Sequence, residues 1–166
     1  HSWGAWLSVI TAAVNPELVS KLILVGSGPF LERHASLIGR RRESRLSAEE
    51  KQTYRSALSR LSAKEDNGKK EALITLEALL EKTDNYSPFF DADERQDIIE
   101  IQGVTFSAVW DQAHKLRRCG KLIEYASNLS CPVTAIPGLF DPNPAAGVEI
   151  PLSACIKNFR MYKLDY

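Results

Sequence analysis

The sequence predicts an α/β fold in which helices flank parallel strands and a mainly helical segment is inserted between two of the strands. Two short apolar runs, at residues 21–25 and 132–136, each end at a turn that contains glycine or proline. The first run, apolar nearly throughout, is typical of a central parallel strand that is covered on both faces, and the second is a short run of the β type. The long stretch between them is charged and has helical periodicity. Because a simple crossover needs only about a dozen residues, this length indicates an inserted cap.

The first core segment begins with a helix. Residues 4–14 are apolar almost all round, with Trp6, Val9 and Ile10 at the spacing of one helical face. Asn15-Pro16 ends the helix, since proline cannot continue it. The strand at residues 21–25 follows and stops at a glycine-rich turn. We therefore predict a helix and then a buried strand within residues 1–29.

The inserted segment carries signals for several helices. Ser47 and Glu50 form a capping box, in which each side chain accepts a hydrogen bond from the other residue's backbone N–H. An apolar stripe follows on that helix, and a second amphipathic helix lies beyond a turn at 66–68. Further helices are expected at 92–102, 105–117 and 120–127. The residues of the two stripes are Tyr54, Ala57, Leu58 and Leu61, then Leu73, Leu76 and Leu80.

The α/β pattern resumes at residues 132–136 and continues through a helix to an alternating segment at 159–164, which predicts the start of a third strand. We therefore divide the chain into a core segment at 1–29, a helical cap at 30–128 and a second core segment at 129–166.

The first chemical motif is at the beginning of the chain. Ser2 is followed two residues later by Gly4 and immediately by a buried helix, as in the second half of a G-x-S-x-G nucleophile elbow. An elbow holds its serine on a strained strand-to-helix turn, and Gly4 would let neighbouring backbone approach. The backbone N–H of Trp3 would then face a developing oxyanion. The alternative is an ordinary serine that caps the helix.

The second motif is a carboxylate beyond the second strand. Asp141 follows the strand at 132–136, at the strand end where open α/β sheets keep their sites. Such a carboxylate can accept a hydrogen bond from a catalytic histidine and fix its tautomer. The alternative is that Asp141 only caps the turn before Pro142.

Together these segments resemble the α/β-hydrolase family. The elbow is HSWGAW, the following strand is KLILVGSGPF, and the acid-bearing strand and loop are CPVTAIPGLFDPNPAAGV. The resemblance implies a partial α/β-hydrolase sheet with an inserted helical cap. It also implies Ser2 as nucleophile, Asp141 as the acid and the Trp3 N–H as an oxyanion-hole donor. No cofactor or metal is implied, and His1, His34 and His114 are too scattered for a zinc site.

The resemblance also implies that the chain is truncated at both ends. The first glycine of the elbow and the earlier strands would precede His1, and the catalytic histidine would follow Tyr166. His34 and His114 lie in the predicted cap, and the His1 side chain is expected to leave the elbow in another direction. The fragment alone should be nearly inert, because loss of the histidine costs serine proteases about 10⁶ in turnover.

Three functions stay open. The favoured one is serine-dependent hydrolysis of a small ester or amide, with a proline-releasing aminopeptidase as a subclass that would need cap carboxylates. The second is a non-catalytic protein of hydrolase fold that binds a small ligand in the capped pocket. The third is a short chain that assembles with another through open sheet edges. Candidate cap carboxylates are Asp91, Asp93 and Glu94; candidate pocket linings are Trp6, Phe30, Phe89, Phe106 and Trp110.

Composition excludes several partner classes. The chain has 21 basic and 21 acidic residues, so its formal net charge is zero. It therefore has no excess positive charge that would favour binding to nucleic acid or to an acidic membrane surface. No apolar run approaches the roughly 20 residues of a membrane span. Cys119, Cys131 and Cys155 lack metal-site spacing and are expected to be reduced, buried thiols. A small-molecule substrate and a cytoplasmic location follow as expectations, and the oligomeric state is open.

Overall fold

The structure is a computed structural model that describes residues 1–63, 68–87 and 103–165, the side chains of 103–107 excepted. It contains two compact units, one of His1–Arg40 with Ala113–Tyr166 and one of Arg41–Gln112. In chain order the elements are α1 (Trp3–Val14), β1 (Leu22–Val25), α2 (Ser36–Ser44), α3 (Ala48–Ser62), α4 (Lys69–Asp84), α5 (Gly103–Arg118), α6 (Lys121–Ser127), β2 (Val133–Ile136), α7 (Ala146–Cys155) and β3 (Phe159–Met161). Short 3₁₀ helices span Pro16–Leu18 and Glu32–His34.

The first unit is built on a parallel sheet with the strand order β1-β2-β3. Leu22 of β1 is level with Val133 of β2, and Val133 is level with Phe159 of β3. Because all three strands are parallel, their carboxyl ends lie at the same edge of the sheet. The loops that follow β1 and β2 therefore meet at that edge, which is where the candidate site residues lie.

One face of this sheet carries the hydrophobic core. Leu24, Val133 and Ala135 are each about 1% exposed, and they share a cluster with buried residues of α1, α6 and α7. On the opposite face Ile23 is 56% and Val25 is 39% exposed. The expectation that the strand at residues 21–25 is covered on both faces is therefore wrong for the part of the chain that the structure describes. The reason is that the helices contributing to the core all pack against the same side of the strands.

The predicted elements of the described segments are found with small shifts at their ends. The helix predicted at 4–14 is α1, the one predicted at 105–117 is α5, and the one predicted at 120–127 is α6. The third strand is confirmed as β3, which is shorter than the alternating segment. The helix predicted at 92–102 and most of the turn at 66–68 lie outside the described residues.

The cap prediction at 30–128 stays a prediction. Residues 30–40 and 113–128 fold in the same compact unit as the strands, while the second unit begins at Arg41 and ends at Gln112.

The second unit centres on the helix pair α3 and α4, which packs around a small core of Leu46, Tyr54, Ala57, Ala72 and Leu76. The capping box of α3 is confirmed, with the Glu50 N–H donating to Ser47 Oγ at 3.2 Å and the Ser47 N–H donating to Glu50 Oε2 at 2.8 Å. The predicted stripe is partly wrong, since Leu58 is 39% exposed. It lies one position beyond Ala57, which rotates it off the face that meets α4.

An ion pair also links the two helices of the second unit. Lys82 Nζ of α4 lies 2.6 Å from Glu50 Oε1 of α3, and this hydrogen bond lowers the pKa of the Glu50 carboxyl below its ordinary value.

A buried cation that the sequence analysis missed stabilises the first unit. Arg117 is 7% exposed, lies 5.5 Å above the Trp6 ring and pairs with Glu32 at 2.7 Å. The indole N–H of Trp6 donates to the Gly28 carbonyl at 3.0 Å. Trp6 and Phe30, two of the expected pocket linings, are 4% and 0% exposed and belong to the core. The side chains of Phe89 and Phe106 are outside the described residues.

The three cysteines are free thiols, but only Cys131 is fully buried. Cys119 is exposed, so the expectation that all three are buried is wrong for that residue. Cys155 is half-buried, and burial raises the pKa of its thiol.

Candidate active site

Ser2 has an unusual backbone conformation. Its φ is 51° and its ψ is −124°, and it is the residue other than glycine with a positive φ among those described. This region of backbone space is nearly confined to glycine and costs other residues about 1–3 kcal/mol. A hydrogen bond from the Ser2 N–H to the Val25 carbonyl, 3.0 Å long, fixes the turn at the carboxyl end of β1. Surrounding structure therefore holds Ser2 in strain at the start of α1.

The geometry does not support the helix-cap alternative for Ser2. The residue is at the N-cap position of α1, yet its side chain makes no capping hydrogen bond. Capping serines have extended backbone angles and accept from an N–H of the first helical turn, as Ser47 does in α3. The Ser2 hydroxyl is therefore not used to stabilise α1.

Gly26 follows β1 directly, and two side chains of the candidate site lie next to it. Its φ is +51°, and a Cβ there would lie 3.2 Å from Asp141 Oδ2 and 3.2 Å from His1 Nε2. Its N–H donates to the Ile136 carbonyl at 3.1 Å, which joins the ends of β1 and β2. The carboxylate and the imidazole thus lie over the same glycine, directly after the residue to which Ser2 is hydrogen-bonded.

The surroundings of the glycines bear on two expectations. The His1 Nε2 lies over Gly26, as Asp141 Oδ2 does, and the direction of His1 relative to the Ser2 hydroxyl stays a prediction. Close approach of neighbouring backbone was expected at Gly4, but beyond its chain neighbours and the adjacent backbone of α1 no described atom lies within 4 Å of a Cβ placed there. The crowded glycine follows β1 instead. A glycine immediately after a strand was the available sequence signal.

Asp141 is oriented by its own loop. Its Oδ1 accepts hydrogen bonds from the Asn143 backbone N–H at 2.8 Å and from Asn143 Nδ2 at 2.9 Å. Oδ1 therefore does cap a turn, as the alternative for Asp141 supposed, while Oδ2 lies over Gly26. The turn-capping interpretation therefore applies to Oδ1, whereas the catalytic interpretation, which would use Oδ2, stays a prediction. Sequence reasoning did not single out Asn143, although its position two residues after an aspartate is typical of an Asx turn.

Trp3 begins α1, so the helix itself offers no acceptor for its backbone N–H. Its indole Nε1 is buried and has no hydrogen-bond partner in the described part of the chain. A buried donor without an acceptor costs about 1–3 kcal/mol.

The other histidines are elsewhere: His34 is in a 3₁₀ helix, where it packs close to Gly147, and His114 is in α5. No cluster of His, Cys, Asp and Glu that could hold a metal occurs among the described residues.

No protein-family model and no curated protein matches the sequence. Solved structures do match its fold. VinJ superposes with a TM-score of 0.63 at 15% identity, covering 99% of this chain and 55% of VinJ. A putative lipase from Acinetobacter baumannii superposes with a TM-score of 0.61 at 18% identity, covering 99% of this chain and 50% of the lipase. A proline iminopeptidase from Mycobacterium smegmatis gives a TM-score of 0.47 at 20% identity, which is too low to bear on the aminopeptidase subclass.

The chain therefore spans about half the length of VinJ and of the lipase. In the described segments no helix has the length and apolarity needed to cross a bilayer. The parallel sheet, the helices packed on it and these superpositions together give the chain a partial α/β-hydrolase fold.

Proposed function

We propose that this chain is part of a serine hydrolase that cleaves a small ester, amide or related acyl bond. The observation that carries the proposal is the strained backbone of Ser2 at the carboxyl edge of a parallel sheet. Strain of about 1–3 kcal/mol persists only where the surroundings enforce it, and such residues cluster at active sites. The Asp141 carboxylate above Gly26 supports the same site.

In the proposed reaction, Ser2 Oγ attacks the acyl carbon while a histidine expected beyond Tyr166 takes the hydroxyl proton. The carbonyl oxygen becomes an oxyanion that accepts a hydrogen bond from the Trp3 N–H. The histidine returns the proton to the leaving oxygen or nitrogen as its bond to the acyl carbon breaks. The histidine then takes a proton from a water molecule that attacks the acyl carbon, and it returns this proton to Ser2 Oγ as the bond between Oγ and the acyl carbon breaks. Asp141 orients the histidine throughout.

The cap would cover the acyl pocket and select the substrate, and the protein would act on a small molecule in the cytoplasm. The carboxylates suggested for an aminopeptidase, Asp91, Asp93 and Glu94, lie outside the described residues. Nothing in the described part of the site therefore favours an amine-bearing substrate over a simple ester.

A fluorophosphonate probe tests the proposal, because it forms a P–O bond to an activated serine and releases fluoride. The full-length product of the gene is labelled and the modified peptide is identified by mass spectrometry. We expect modification of Ser2 and its loss in Ser2→Ala. The matched control is Ser8→Ala in the same helix, where Ser8 Oγ donates to the Ala5 carbonyl at 2.8 Å. This variant should be labelled like the wild type.

Two results would contradict the proposal. Absence of labelling in the folded full-length protein would favour the alternative, a non-catalytic protein that binds a small ligand. Labelling that persists in Ser2→Ala would place the nucleophile at another serine.

A further inference from the structure

The loop that carries Asp141 is held in place by two buried prolines and by backbone hydrogen bonds. Pro142 and Pro144 are both buried, and each ring fixes its own φ. The Asp141 N–H donates to the Gly138 carbonyl at 3.2 Å, and the Leu139 N–H donates to the Leu164 carbonyl at 2.8 Å. These contacts tie the loop to the segment that follows β3. The backbone at position 141 is therefore fixed independently of its side chain.

With the backbone fixed, the position of the Asp141 carboxylate still depends on the two torsions of its side chain, and the hydrogen bonds from Asn143 restrain them. Each carboxylate oxygen has two lone pairs, and two donors of Asn143 converge on Oδ1 at 2.8 and 2.9 Å. A rotation that moved Oδ2 away from Gly26 would break both hydrogen bonds. The backbone donor is common to Asx turns, whereas the Nδ2 donor depends on asparagine at this position.

We propose that Asn143 is a positioning residue for the acid of the triad, a role that rests on the proposed function. By occupying Oδ1, Asn143 keeps Oδ2 over Gly26, the residue next to the one that holds the Ser2 N–H. The oxygen that orients the histidine is thus Oδ2, and its position is set by an amide that touches neither the substrate nor the reacting atoms.

The test compares Asn143→Ala and Asn143→Asp in the full-length protein. Alanine keeps the backbone donor and removes Nδ2, while aspartate keeps the shape and places a second carboxylate against Asp141. The rate constant for fluorophosphonate labelling of Ser2 should fall about 10- to 100-fold in both variants, the size of effect expected from misplacing a catalytic group by about 1 Å. With p-nitrophenyl acetate, kcat should fall while KM stays unchanged. Asn128→Ala is the matched control, since Asn128 is an exposed asparagine after α6.

The outcomes separate the two proposals. Labelling at Ser2 with no change in Asn143→Ala or Asn143→Asp overturns the positioning role and leaves the proposed function intact. No labelling of the wild type at Ser2 overturns both. Failure of both variants to fold, seen as loss of a cooperative thermal transition, would make Asn143 a structural residue and also overturn the positioning role.

Discussion

Alanine at Gly26 should weaken the candidate site more than it weakens the fold. The φ of +51° alone should cost a residue with a Cβ about 1–2 kcal/mol. The new methyl group would lie 3.2 Å from Asp141 Oδ2 and from His1 Nε2, which is closer than carbon normally approaches either atom. Both atoms are at the ends of side chains, so they can yield by a few tenths of an ångström. The folding cost should therefore stay near that of the backbone, while the carboxylate is displaced from its site.

Three other glycines separate these effects. Gly120 has a φ of +76°, and beyond its chain neighbours no described atom lies within 4 Å of the position that a Cβ would take, so its alanine variant isolates the backbone cost. Gly147 has no positive φ, but a Cβ would lie 2.7 Å from Pro29 Cβ, so its variant tests crowding at about 1–3 kcal/mol, which the helix preference for alanine in α7 partly offsets. Gly39 has neither constraint and lies in α2, where alanine should stabilise the helix by about 0.5–1 kcal/mol.

Urea unfolding of the four variants and the labelling rate of Ser2, both measured in the full-length protein, give the answer. Gly26→Ala and Gly120→Ala should lose similar stability, and only Gly26→Ala should be labelled slowly. Equal labelling rates for these two variants would refute the idea that the space above Gly26 belongs to the site. A stability loss in Gly26→Ala well beyond that of Gly147→Ala would show that Asp141 and His1 cannot yield.

Further predictions concern the surface, the core and the second unit. Lysine at Ile23 and Val25 should reduce self-association, since both are exposed apolar residues on the open sheet face; unchanged sedimentation would contradict this. Glu32→Gln should lower the unfolding free energy by about 1–3 kcal/mol by removing the charge that pairs with buried Arg117, and a double cycle with Arg117→Met should show coupling. Because the pKa of Glu50 is lowered on folding, its contribution is present above about pH 4.5 and is lost as pH falls through the folded pKa; Glu50→Gln should therefore flatten the acid limb of stability in urea midpoints measured from pH 7 to pH 3.

The sequence by itself determined the local elements and the two chemical motifs. Helical spacing predicted α1, alternation and apolar runs predicted the strands, and the Ser47–Glu50 pair predicted the start of α3. These features depend on residues within a turn or two of each other, so short-range sterics and hydrogen bonding decide them. Ser2 and Asp141 were singled out as candidates in the same way, because Ser2 precedes a helix-like run and Asp141 follows a strand-like run; their catalytic roles stay a proposal.

Only the tertiary structure decided which residues meet. The pair Arg117 and Glu32 is separated by 85 positions, and side-chain atoms of His1 and Asp141, from nearly opposite ends of the chain, both lie over Gly26. It also decided which oxygen of Asp141 lies over Gly26, and it left Ile23 exposed in the part of the chain that the structure describes. Such contacts depend on the register of the parallel strands and on which face the helices cover, and local periodicity does not encode either.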